Sequence, residues 1–114
     1  MRSDKPPPRP PSQTDVVRAI KRIARAQGFL VAVDCQQELI EHGHDVISAN
    51  ELIANCMLAD LDKWEPDYHP KRSNWVAVLK LRDGPRRLLY VKIRLHMPGM
   101  TSGDIKSFHV WGRQ

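Results

Sequence analysis

Trp75-Val76-Ala77-Val78-Leu79-Lys80-Leu81-Arg82 is followed by Asp83-Gly84 and then by Leu89-Tyr90-Val91-Lys92-Ile93-Arg94-Leu95-His96. In both runs apolar residues recur at every second position, the period of a strand with one buried face. Trp75, Ala77, Leu79 and Leu81 alternate with Val76, Val78, Lys80 and Arg82; Leu89, Val91, Ile93 and Leu95 alternate with Tyr90, Lys92, Arg94 and His96. Asp-Gly suits the left-handed backbone of a tight turn, so the two runs predict an antiparallel hairpin. Beyond a loop with Pro98, Gly99, Ser102 and Gly103, residues 105–111 predict a third strand. Its alternation sets Phe108 and Val110 on one side and Ser107, His109 and Trp111 on the other.

Upstream the apolar period is helical. Ser12 and Asp15 form a weak capping box ahead of Val16, Val17, Ile20, Ile23 and Ala24, and Gly28 predicts a left-handed stop. Arg18, Lys21, Arg22 and Arg25 make a basic stripe on the opposite side, which suits a solvated face at least as well as a phosphate contact. Residues 29–33 read either as a short strand or as the approach to a second helix. Asp34 and Gln37 mark the start of that helix, Leu39 and Ile40 point inward, and Gly43 ends it. Ser48 with Glu51 is the clearest capping box, followed by Leu52, Ile53, Cys56 and Met57 on one face; Trp64, Pro66 and Pro70 exclude continuation. Helices followed by strands predict an α+β fold, with about three helices packed on one face of a three-stranded antiparallel sheet. That domain covers 12–114. Residues 1–11, with Pro6, Pro7, Pro8, Pro10 and Pro11, predict a disordered extended tail.

A chain of 114 residues is one domain by size, which excludes a multidomain enzyme. Two cysteines, Cys35 and Cys56, cannot make a disulfide scaffold, and both fall on apolar helix faces that suit a core better than a nucleophile. Residues 1–11 carry no apolar run of the signal-peptide kind, and no stretch approaches the roughly 20 residues of a membrane helix. The expectation is a cytoplasmic protein with no membrane partner. The net charge of +5 hides a strong partition: −8 over 29–69 against +8 over 70–114. The second segment attracts phosphates and the first repels them.

The sheet face opposite the helices gathers Lys80, Arg82, Tyr90, Lys92, Arg94 and His96, and by parity Ser107, His109 and Trp111. Cleaving RNA without a metal takes a base for the 2′-hydroxyl, a cation for the charge growing on phosphorus oxygens, and an acid for the leaving 5′-oxygen. This face offers all three. Histidine is base or acid near neutral pH, arginine grips phosphate with a two-pronged fork, and Tyr90 or Trp111 can stack on a base. A solvated face accounts for Lys80, Arg82, Lys92 and Arg94 about as well, and an inert loop position for His96 better. Arg86 and Arg87 flank a turn and read as exposed. His42, His44, Cys35, Cys56 and His69 are metal-ligand types without metal-ligand spacing, so no metal or other cofactor is expected.

The run 89–94 and, after a loop, Lys106-Ser107-Phe108-His109 resemble the closing strands of the MqsR family, mRNA-cleaving toxins of bacterial toxin–antitoxin systems with a RelE-like α+β fold. The resemblance spans roughly residues 48–111 and includes the link Tyr68-His69-Pro70. It implies a metal-independent endoribonuclease acting on mRNA, free or on the ribosome, and held inactive by a cognate antitoxin. It sets Tyr90 at the position of a functional tyrosine and His109 at that of a functional lysine, a departure from the family's pattern. The catalytic candidates are therefore His109, Tyr90 and Arg94, with Lys80, Arg82, Lys92, His96 and Trp111 as RNA contacts. Two other readings stand beside this one: a non-catalytic RNA- or DNA-binding module using the same face, and an interaction protein whose acidic helices and proline-rich tail meet protein partners.

Overall fold

The computed structural model describes residues 11–67, 74–85, 87–97 and 99–110. The expected tail lies almost wholly outside them, as do Tyr68-His69-Pro70, Arg86, Pro98 and Trp111.

Helix α1, Gln13–Arg25, starts where Ser12 Oγ accepts the Asp15 amide at 3.1 Å, and it buries Val16, Val17, Ile20, Ile23 and Ala24. Its end differs from the expectation. The left-handed residue is Gln27 (φ 57°), and amides of Gln27 and Gly28 close back on the Ala24 and Ile23 carbonyls. Gly28 is needed for space instead: a Cβ there would sit 2.9 Å from Ile23 Cγ2.

Strand β1, Phe29–Val31, settles the ambiguity of 29–33, and α2, Val33–Glu41, follows at once. Gly43 (φ 77°) does terminate α2, with the His44 amide bonding the Leu39 carbonyl. Helix α3, Val46–Ala54, begins earlier than Ser48 and Glu51 suggest. Its capping box pairs Asp45 with Ser48: the Ser48 amide donates to Asp45 Oδ1 at 2.8 Å and Ser48 Oγ accepts the Asp45 amide at 3.0 Å. Asp45 wins because its carboxylate accepts more strongly than a hydroxyl. The helix stops at Ala54, so Cys56 is buried beyond its end while Met57 is exposed and opens a 3-10 turn, Leu58–Asp60.

The sheet has five strands rather than three. Strands β3 (Trp75–Arg82), β4 (Leu88–Leu95) and β5 (Gly103–Val110) form the expected antiparallel meander. Strand β2, Leu61–Pro66, adds antiparallel to β3, and β1 adds parallel to β5, giving the order β1-β5-β4-β3-β2. A bulge at Asp62 breaks the alternation of β2, which is why no strand period is visible there. Ala77, Leu79, Leu81, Leu89, Val91, Ile93, Leu95, Ile105 and Phe108 face the helices and form the core with Val16, Ile20, Ile23 and Ile53. Among the described residues, no helix is long and apolar enough to cross a membrane.

Candidate functional site on the open sheet face

The face away from the core is organised by three antiparallel rungs. Tyr90 on β4 pairs with His109 on β5 and with Lys80 on β3; Lys92 pairs with Ser107 and Val78; Arg94 pairs with Asp104 and Val76. Cross-strand partners have their Cα atoms about 4.5–5.5 Å apart, so Tyr90 and His109 are direct neighbours.

A bulge corrects the parity of β5. Between the Lys92–Ser107 and Ile93–Ile105 pairs one residue, Lys106, is extra. Strict alternation would turn Lys106 inward with Phe108; the bulge instead lets Ile105 and Phe108 both be buried and leaves Lys106 and Ser107 both on the open side. Lys106 is thus a basic residue of this face that counting in twos cannot find.

Carboxylates from the acidic middle of the chain reach into the same face. Tyr90 donates its hydroxyl to Asp62 Oδ2 at 2.7 Å, and Lys80 Nζ lies 3.5 Å from Asp62 Oδ1. The hydrogen bond from Tyr90, reinforced by Lys80, holds the Asp62 carboxyl below its ordinary value, and the same bond pushes the Tyr90 phenol up. Tyr90 is therefore held in its protonated form, with its one O–H donated to Asp62.

Arg94 is mostly buried and doubly paired, with Nε 3.0 Å from Asp67 Oδ2 and Nη1 3.6 Å from Asp104 Oδ2. The Nε–H is not aimed at the carboxylate, so the first contact is an ion pair without a hydrogen bond. His96 Nε2 lies 3.1 Å from the same Asp104 oxygen and Nδ1 2.8 Å from Ser102 Oγ. His109, half exposed, has Nδ1 3.1 Å from Glu38 Oε2 on α2. Arg82 is exposed at the end of β3. Among the described residues no carboxylate lies within ion-pairing distance of Lys92, Lys106 or Arg82.

The sequence-derived residues thus fall into two groups. Tyr90, Lys80 and His109 share one rung, with Lys92 on the next; Arg94 and His96 belong to a separate cluster with Asp104 and Asp67. Four residues along a strand cover about 13 Å and six about 20 Å, so His96 cannot act on a phosphate held between Tyr90 and His109. Sequence reasoning missed Asp62, Asp67, Asp104, Glu38 and Lys106. Three of these carboxylates come from the segment whose charge repels phosphate, and only the tertiary fold reveals that they sit among the cations.

One expectation outside this face is also revised. Arg87 is half-buried, donating to the His42 carbonyl at 2.8 Å and pairing with Asp83. His44 bridges Ser48 Oγ and Asp83 Oδ2, 2.8 Å from each, and packs edge-on against Phe108. It clasps the β3–β4 turn to the α2–α3 junction. Cys35 and Cys56 are buried free thiols, and burial pushes both up to about 11, far from a reactive thiolate. Among the described residues no cluster of three or more His, Cys, Asp or Glu side chains could hold a metal ion.

No protein-family model matches the chain, and comparison with curated proteins and with solved structures gave no match.

Proposed function

We propose that the open sheet face binds single-stranded RNA and cleaves its backbone without a metal, and that the protein is the toxin of a bacterial toxin–antitoxin pair, neutralised by a cognate antitoxin. The observation that carries the chemistry is the pairing of His109 with Tyr90 across β5 and β4, with Lys92 and Ser107 on the adjoining rung. A phosphate seated over these residues meets an imidazole, a phenol kept protonated by Asp62, and an ammonium with no carboxylate within ion-pairing distance among the described residues. The toxin assignment rests on the resemblance of the two strands to the MqsR family.

The reaction divides among them as follows. His109 takes the 2′-hydroxyl proton, the 2′-oxygen bonds to phosphorus, and the bond to the 5′-oxygen breaks as that oxygen gains a proton. The products are a 2′,3′-cyclic phosphate and a 5′-hydroxyl. Tyr90 orients the nucleotide and, with its O–H turned from Asp62 to the leaving oxygen, supplies that proton, the phenolate being reprotonated by water; Lys92 stabilises the charge on the phosphorane oxygens. Arg94, already neutralised by two carboxylates, grips a neighbouring phosphate once one of them gives way. Glu38 holds the His109 ring at Nδ1, so Nε2 is the nitrogen that takes the proton.

The test is cleavage by purified protein, with ribosomes both present and absent. His109→Gln and Tyr90→Phe should each slow the reaction by roughly 10²–10⁴-fold, with the thermal midpoint and the wild-type rate in EDTA unchanged. RNA that is bound but never cut would replace this reading with the non-catalytic module.

A further inference from the structure

Among the described residues, five of the eight large apolar side chains left in solvent fall between positions 30 and 47, the others being Met57, Leu58 and Val110. Leu30, Val33, Ile40, Val46 and Ile47 are 67, 85, 65, 40 and 61% exposed, while α1 exposes no large apolar residue. Scattered exposed apolar residues are ordinary; a contiguous group marks a surface that another molecule covers. Val33 and Ile40 are seven residues apart on α2 and so share one helical face, with Asp34, Glu38 and Glu41 as the adjoining stripe. Where α2 meets α3, the strip runs into a depression of about 160 Å³ lined by Gln36, Leu39, Ile40, His44, Asp45 and Val46.

The segment that carries this strip has charge of a single sign, and Arg87, which reaches the α2–α3 junction at the His42 carbonyl, is paired with Asp83. Residues 29–62 contain no lysine or arginine and carry Asp34, Glu38, Glu41, Asp45, Glu51, Asp60 and Asp62. Asp34, Glu41 and Asp45 are exposed beside the apolar strip. Such a rim repels nucleic acid and anionic lipid and favours cations. A second copy of the chain does not fit: its basic stripe on α1, with Arg18, Arg22 and Arg25, lies on a helix whose apolar face is buried in its own core.

We propose that α2 and the start of α3 form a docking groove for a cationic amphipathic helix of a partner protein. Its aliphatic residues pack along Val33 and Ile40 and enter the depression at Val46, and its lysines and arginines face Asp34, Glu41 and Asp45. A helix is the shape that matches, because anchors at i, i+3, i+4 and i+7 follow a stripe with a seven-residue repeat. This groove lies on the helical side and meets the proposed cleavage site only through Glu38, which the variants below leave intact, so the proposal is tested without reference to RNA cleavage.

The probe is a synthetic peptide of about four helical turns with leucine at i, i+3, i+4 and i+7 and lysine elsewhere, titrated into the ¹⁵N-labelled full chain. The expected result is binding that makes the peptide helical, with amide shifts concentrated in residues 30–47. A Val33→Ser/Ile40→Ser double variant, altered only at exposed positions, should bind at least about tenfold more weakly with an unchanged thermal midpoint, and Asp34→Asn/Glu41→Gln should flatten the salt dependence. The proposal is overturned by no binding, by equal binding of the peptide with glutamate for lysine, by shifts centred on the sheet face, or by an affinity the double variant leaves unchanged. Self-association in sedimentation that the double variant abolishes would assign the groove to a second copy instead.

Discussion

Tyr90 carries the clearest electrostatic signature on the sheet face. Because its hydroxyl donates to Asp62, the phenol titrates above the ordinary tyrosine value of about 10, and Asp62→Asn should bring it down again. The chain has only Tyr68 and Tyr90, so phenolate absorbance in a Tyr68→Phe background reads Tyr90 alone. A raised folded-state value stabilises the fold below the ordinary tyrosine range, and that contribution disappears as pH rises through the raised value. Asp83 works on the acid side. Burial alone would raise its carboxyl, but hydrogen bonds from His44 and Arg87 outweigh burial and hold it down. Its contribution is therefore complete above the ordinary carboxylate value and is lost as pH falls through the lowered one. Asp83→Asn should cost about 1–3 kcal/mol in urea unfolding at neutral pH and flatten the acid limb of the stability profile. Neither partnership is legible in the sequence, because Asp62 lies 28 positions from Tyr90 and His44 lies 39 from Asp83. What the residues do declare is type and parity: Lys80, Tyr90, Lys92, Arg94 and His109 all sit on the open face that alternation assigns them. Lys106 escapes that rule because one bulge shifts the count.

At the scale of elements, the short parallel strand β1 depends on side chains rather than on its own length. Asn50, fully buried in α3, accepts the Phe29 amide at 3.0 Å and donates to the Phe29 carbonyl at 3.1 Å and the Val46 carbonyl at 2.9 Å. Asn50→Ala leaves the buried Phe29 amide and carbonyl without that partner, at about 1–3 kcal/mol each. Gly103 is its counterpart on β5: a Cβ there would meet the Arg94 carbonyl oxygen and come within 2.8 Å of Phe29 Cε1. Gly103→Ala should destabilise by about 1–3 kcal/mol, with amide exchange in β1 accelerating more than in β3 and β4. Intact protection of β1 in both variants would contradict this view of how the edge is held. The hairpin β3–β4 and the helix α1 follow directly from their periods. Strand β1 has only three residues, and β2 combines a bulge, a proline and charged residues, so neither produces a period that counting can detect. Helix caps depend on which of two competing acceptors the backbone reaches, as Asp45 against Ser48 illustrates.

For the whole molecule, the partition of charge along the chain becomes a partition in space only in part. Helices α2 and α3 keep most of their acidity, whereas Asp62 and Asp67 fold back among the cations of the sheet face, where Asp104 already stands, and Glu38 reaches His109. RNA affinity should still fall steeply with salt, with a log–log slope of about −0.7 for each phosphate neutralised. The contributions are unequal: Lys92→Ala and Lys106→Ala should each flatten the slope by close to one contact, and Arg94→Ala by less, since its charge is already shared with Asp67 and Asp104. Equal effects for all three would mean that those carboxylates leave the face entirely on binding. The central claim, that this face cuts RNA through His109 and Tyr90, is tested most directly by inducing the full chain in a bacterium and mapping transcript ends and their chemistry while growth is followed. The account predicts growth arrest with new 5′-hydroxyl and 2′,3′-cyclic phosphate ends for the wild type, and neither for soluble, folded His109→Gln or Tyr90→Phe. Growth arrest without new ends, or the same ends and arrest from both variants, would contradict it.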